Sequence, residues 1–136
     1  MENTIRVNLP TFITNEDIDD IMSSALDWIS YWCERVEVVG DYLGEYASEQ
    51  ISRGGELRFY PIEAITNNDP EYFLLNREKL IKGIYAWFST VDDDARFEVI
   101  NIDFTSYLLS LDTGNIDGPR ADSIIQLALF GEEVFA

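Results

Sequence analysis

Histidine is absent from the sequence and cysteine occurs once, at Cys33. The first absence excludes every Ser-His-Asp and Cys-His catalytic arrangement, and with it zinc sites built on imidazole or paired thiolates. The second excludes an internal disulfide; with the short, mixed stretch Met1–Asn8 where a secretory leader would stand, it predicts a cytoplasmic protein. A lone thiol beside the aromatic run Trp28–Trp32, with no base to activate it, reads as a small buried hydrophobe. Long apolar runs are missing too. The nearest, Ile124–Phe130, is interrupted by Gln126 and falls far short of the roughly 18 to 20 residues that cross a bilayer, so no membrane association is expected. No repeat and no Pro-, Gly- or Ser-rich linker divides the 136 residues, which predict a single domain over positions 1–136.

Basic residues are scarce: 9 Lys and Arg stand against 26 Asp and Glu, a formal net charge of -17. Such a chain repels DNA, RNA and anionic membranes and attracts basic surfaces, an effect that salt screens over about 8 to 10 Å. Direct nucleic-acid binding is therefore not expected. Solubility explains part of the acidity; recognition of a basic protein surface is the functional alternative. What the sequence has in quantity is apolar side chain. A hydrophobic fraction of 46% and an aromatic fraction of 13% are ample for a packed core.

Local patterns predict the elements. Ile5, Val7 and Leu9 alternate with Arg6 and Asn8 as a short strand ending at Pro10. Thr14 caps a helix with Glu16 and Asp17 in its first turn and Ile18, Ile21, Met22, Ala25 and Leu26 on one face. The chain is expected to break near Asp27 and continue as a strand toward Val39. Leu43, Tyr46, Ala47, Gln50 and Ile51 predict a helix of about three turns, closed by Gly54 and Gly55. Glu56–Tyr60 reads as a strand ended by Pro61, and Asn67–Pro70 as a turn. Asn76 caps a helix whose apolar face is Leu80, Ile81, Ile84, Tyr85 and Phe88, followed by an acidic turn at Asp92, Asp93 and Asp94. Ile100, Ile102 and Phe104 predict a strand. Asp117 and Pro119 open a last helix with Ala121, Ile124, Ile125, Ala128 and Leu129 inward, closed by Gly131. The sum is an α+β domain, about four helices packed on a small, mainly antiparallel sheet.

Motifs for cofactors fail on inspection, and none is expected. Gly54 and Gly55 lack a GxxxxGK[ST] or GxGxxG setting, and Glu56 opposes an anion there. Asp112–Gly118 imitates a calcium loop, but Thr113 and Ile124 fall where two of its ligands belong. Carboxylates remain. Glu16, Asp17, Asp19 and Asp20 crowd one helix start and Asp92, Asp93 and Asp94 one turn; a Mg²⁺ or Ca²⁺ site there is conceivable, while solvated faces explain both more simply. A glycosidase-like pair among 26 acids cannot be singled out. Tyr42, Gly44, Tyr46 and Ser48 form a small-residue and aromatic stripe that suits close packing, internal or with a partner.

The run Tyr31–Tyr60, YWCERVEVVGDYLGEYASEQISRGGELRFY, and the terminal IDGPRADSIIQLALFGEEVF, Ile116–Phe135, resemble a family of uncharacterised small acidic proteins encoded by phages and prophages of gut Gram-positive bacteria. The resemblance covers about half the chain; relatives carry glycine near Asp27 and Trp28, where this chain does not. It implies a setting in the host-cell cytoplasm and supplies no catalytic residues. In that setting the expected role is a non-catalytic interaction module, an anti-defence inhibitor or nucleic-acid mimic occupying a basic host nucleic-acid enzyme. A mimic must rank its carboxylates, since duplex DNA carries one charge per about 1.7 Å. The residues expected to do so are Glu16, Asp17, Asp19, Asp20, Glu45, Glu49, Asp92, Asp93 and Asp94, with Glu45 and Glu49 one helical turn apart. Two alternatives stand beside it. A self-assembling accessory protein would expose an apolar patch around Tyr42, Tyr46 or Val134 and Phe135; a small-molecule binder or carboxylate enzyme would show an aromatic pocket with convergent acids. Homodimerisation is left open.

Overall fold

The Thr14 cap forms as its sequence predicts. In the computed structural model, which describes residues 13–106 and 108–136, Asp17 N–H donates to the Thr14 hydroxyl and Thr14 N–H to the Asp17 carboxylate, both at 3.0 Å. This reciprocal box starts α1 (Asn15–Trp28), which buries Ile18, Ile21, Met22 and Ala25. The strand expected at Ile5–Leu9 lies outside the described residues. The break expected near Asp27 comes slightly later: α1 runs through Trp28, a 3₁₀ turn covers Ile29–Tyr31, and β1 follows at Cys33–Val38.

The helix expected over Leu43–Ile51 does not form. Only Ala47–Glu49 is helical, as one 3₁₀ turn. Side chains there bond the backbone that a helix would need. The Glu49 carboxylate accepts from Glu45 N–H and Tyr46 N–H, both at 3.0 Å, while buried Gln50 accepts from Leu43 N–H at 3.0 Å and donates to the Asp41 carbonyl at 3.1 Å. The fold-back depends on Gly44, where a Cβ would meet Glu49 Cβ at 2.8 Å. Glu45 and Glu49 are therefore joined by a hydrogen bond within a loop, and the helical repulsion expected between them does not arise. Tyr42 and Tyr46 are 60% and 63% exposed, so they do not pack internally.

β2 (Leu57–Pro61) pairs antiparallel with β1, Val36 opposite Phe59 and Val38 opposite Leu57, with an irregularity between Cys33 and Arg35. Pro61 ends it as its last residue. A third strand that the sequence did not reveal, β3 (Phe73–Leu75), completes this sheet in the order β1-β2-β3. Asn76 then caps α2 (Arg77–Thr90) through Lys79 N–H at 2.9 Å. Its buried face is Leu80, Gly83, Ile84, Trp87 and Phe88; Tyr85, expected inward, is exposed, because Gly83 and Trp87 turn the helix toward its neighbour.

The expected acidic turn is a helix start. Asp92 accepts from Ala95 N–H at 2.9 Å and caps α3 (Asp93–Glu98), whose first turn then holds Asp93 and Asp94 at its positive end. β4 (Ile100–Asp103) pairs antiparallel with β5 (Leu108–Leu111) as a separate two-stranded sheet. Phe104, expected inside the strand, lies beyond it and is exposed. α4 (Gly118–Phe130) is capped by Asp117 and ended by Gly131 at φ 77°, as the sequence predicts. It packs on both α1 and α2. Where α2 crosses it, a Cβ on Gly83 would stand 2.7 Å from Ala128 Cβ and from the Ile124 carbonyl, so the crossing requires glycine. Phe130 meets Phe73 of β3 edge-on at 4.8 Å, joining helices and sheet in one core. The architecture is α+β, with four α-helices and two small antiparallel sheets among the described residues. No helix among the described residues is long and apolar enough to cross a membrane.

Candidate functional site

The nine carboxylates singled out from sequence fall on three elements. Glu16, Asp19 and Asp20 share one face of α1, while Asp17 turns aside to close the cap. Asp20 accepts from the Thr113 hydroxyl at 2.7 Å, which ties α1 to the turn before α4. One oxygen of Asp19 is shielded without a donor. Glu45 and Glu49 lie on the loop whose 3₁₀ turn packs against α1, and Glu49 pairs with Arg53 at 3.4 Å. Asp92, Asp93 and Asp94 stand on α3, where Asp92 is a cap and Asp93 pairs with Arg96 at 2.5 Å. Capping fixes Asp17 and Asp92 without neutralising them; among the described residues, Glu49 and Asp93 are the two of the nine that pair with a cation. Among the described residues no three Asp, Glu or Cys come together closely enough to hold a metal ion.

The exposed stripe of α1 extends past the predicted cluster. Glu16, Asp20, Ser23 and Asp27 recur at helical spacing on one side, over about 16 Å of axis. Asp27 brings this stripe to a groove of about 730 Å³. The walls are Trp28 and Tyr31 from the end of α1 and its 3₁₀ turn, Pro119, Asp122 and Ser123 from the start of α4, and the segment Glu133–Ala136 that follows it.

Each wall has a local cause. Gly118 lets the Trp28 ring lie on the first turn of α4, since a Cβ there would fall 2.5 Å from it. Gln126, one turn beyond Asp122 on α4 and buried, holds the segment after the helix. Its carbonyl accepts from Val134 N–H and Phe135 N–H, both at 2.8 Å, and its amide donates to the Phe135 carbonyl at 3.1 Å. Phe135 stacks on Trp32 with centroids 5.1 Å apart and planes 4° from parallel. Glu133 accepts from the Ser123 hydroxyl and is thereby set on the rim.

At the floor lies Asp122, 5% exposed. One oxygen accepts from Trp32 Nε1 at 2.8 Å and from Gln126 at 3.0 Å, and the other from the Tyr31 hydroxyl. All three donors are neutral, and among the described residues no Lys or Arg pairs with this buried carboxylate. Loss of hydration and the bond to Asp122 push the Tyr31 phenol up to about 12. Tyr31 therefore keeps its proton at neutral pH and acts as a donor, never as a base. Cys33 is a core residue, its thiol donating to the Arg35 carbonyl at 3.2 Å and pushed up by burial.

Sequence reasoning missed Asp27, Asp122, Gln126 and Glu133. The available signal was Asp122 and Gln126, two polar residues one turn apart inside the apolar pattern of the last helix. The groove can attract a cation and present aromatic faces to it. No protein family, no curated protein and no solved structure matches the chain.

Proposed function

We propose that this chain is a non-catalytic interaction module that binds a basic protein surface along the acidic side of α1. One observation carries the reading: five of the eight Lys and Arg among the described residues are paired with a carboxylate, and the other three are held against neutral groups. Arg35, Arg53, Lys82, Arg96 and Arg120 each pair with a carboxylate. Arg77 donates to Asn15 and to the Ser52 carbonyl, Lys79 to the Leu74 carbonyl, and Arg58 lies over the Tyr72 ring. Most carboxylates have no such partner, so the field reaching solvent is negative and steers basic surfaces inward. The phage setting implied by the sequence resemblance makes the partner a host nucleic-acid enzyme, with the module acting as its inhibitor in the host cytoplasm.

A second reading has its own observation. The aromatic groove with acids around it is the feature expected of a small-molecule site, and a cationic ligand would suit it. The two are separated by capture of the tagged protein's partners from bacterial lysate at low and at high salt. A basic nucleic-acid enzyme that is retained at low salt, released at high salt and inhibited by the purified protein supports the first. Recovery of the protein alone at both salts rejects it and leaves the self-assembly and small-molecule readings.

A further inference from the structure

The groove between the end of α1 and the segment after α4 has the chemistry of a cation receptor beyond its net charge. Trp28 and Tyr31 are 49% and 44% exposed, so both rings offer surface to a ligand. Asp27 stands in the last turn of α1, where the helix end is already negative and no basic residue compensates it. Glu133 is set by Ser123, and Asp122 adds a charge beneath the floor that only neutral donors satisfy. The start of α4, which would repel a cation, is answered by the Asp117 cap. Among the described residues no Lys or Arg lines the groove.

We propose that this groove receives an arginine side chain presented by the basic partner protein, an assignment that rests on the interaction-module reading above. Arginine fits better than lysine for three reasons. Its guanidinium is weakly hydrated, stacks on Trp and Tyr faces, and presents a fork of donors to carboxylates on two sides. Asp27 and Glu133, both exposed, pair with it directly, while Asp122 acts through its field. A protein source is favoured because the acidic stripe of Glu16, Asp20 and Asp27 runs into the groove, so that a surface carrying further basic residues engages both at once.

Trp28 is the reporter, since Trp32 and Trp87 are buried. The protein is titrated with an acetylated, amidated peptide carrying one arginine among basic neighbours, with the same peptide bearing citrulline, and with agmatine. Saturable change in tryptophan emission with the arginine peptide, at least about tenfold weaker with citrulline, is expected. Asp27→Asn with Glu133→Gln weakens the arginine peptide by about tenfold, whereas Glu71→Gln with Asp94→Asn, an equal change of charge away from both the stripe and the groove, costs about twofold or less. Equal binding of the citrulline peptide, equal loss in both double variants, or agmatine binding as tightly as the peptide overturns the proposal. Lysate capture separates it from the broader reading: a salt-released basic protein retained equally by the groove variant removes the groove assignment alone, and wild-type protein that captures none removes the reading beneath it.

Discussion

Tyr31 shows how one side chain combines structure and electrostatics. Its folded value of about 12 lies above the ordinary phenol value of about 10, so the native state holds the proton more tightly than the unfolded chain. The stabilisation is complete below pH 10 and is lost as pH rises through that window toward 12. Tyr60, raised chiefly by donating to Glu37, contributes in the same direction. Denaturant unfolding across alkaline pH should show Tyr31→Phe flatter in this window than the parent, and less stable at neutral pH by about 1 kcal/mol for the lost bond to Asp122. An unchanged alkaline slope would mean that the hydroxyl does not meet the carboxylate. The Asp122 site was hard to read because Tyr31 and Trp32 stand about ninety positions from Asp122 and meet it only in the folded chain.

Elements were legible where their cause is local. The caps at Thr14, Asn76 and Asp117 and the left-handed Gly131 each depend on a few neighbouring residues, and all appear. The segment Asp41–Gly55 misled because its apolar spacing suits a helix, while Gln50 and Glu49 offer the backbone better bonds than helix carbonyls would. β3 and β5 escaped notice because three or four residues carry little pattern and their pairing is non-local. The α2–α4 crossing yields a direct test. Gly83→Ala improves helix propensity by up to about 1 kcal/mol, yet its methyl has no room against Ala128 and Ile124; a net loss of about 1 to 3 kcal/mol is expected in chemical denaturation. A stabilised variant would show the helices to be further apart.

At the scale of the whole molecule, a net charge of -17 on 136 residues bears on stability. Self-repulsion weakens when salt rises from about 0.01 M to about 0.15 M and the screening length falls from about 30 Å to about 8 Å. The melting temperature should therefore rise with salt at pH 7, opposite to the trend for binding a basic partner. Acidification should first stabilise, as repulsion falls. Glu37, Glu49, Asp69 and Asp103 are held below the usual carboxylate range, Glu37 chiefly by the Tyr60 hydroxyl and Glu49 by Tyr46 N–H, Asp69 by the Thr66 hydroxyl and Asp103 by Thr105 N–H. Their stabilisation is present above the ordinary carboxylate values and is lost as pH falls through the lowered ones, so melting temperature should pass through a maximum on the acid side of neutrality. A monotonic rise or fall from pH 7 to pH 3 would contradict this balance.

The amino-acid sequence by itself determined the α+β class, the three long helices with their caps, the burial of Cys33 and the negative field, because propensity, capping and net charge are local or additive. Only the tertiary structure decided which carboxylates are engaged within the molecule. It spent Asp17 and Asp92 on caps and paired Glu49 and Asp93 with arginines. It also brought Asp27, Asp122 and Glu133 to one groove beside Trp28 and Tyr31. Their convergence depends on α1 packing against α4 and on Gln126 holding the segment that follows, contacts between residues far apart in the chain that no local pattern encodes.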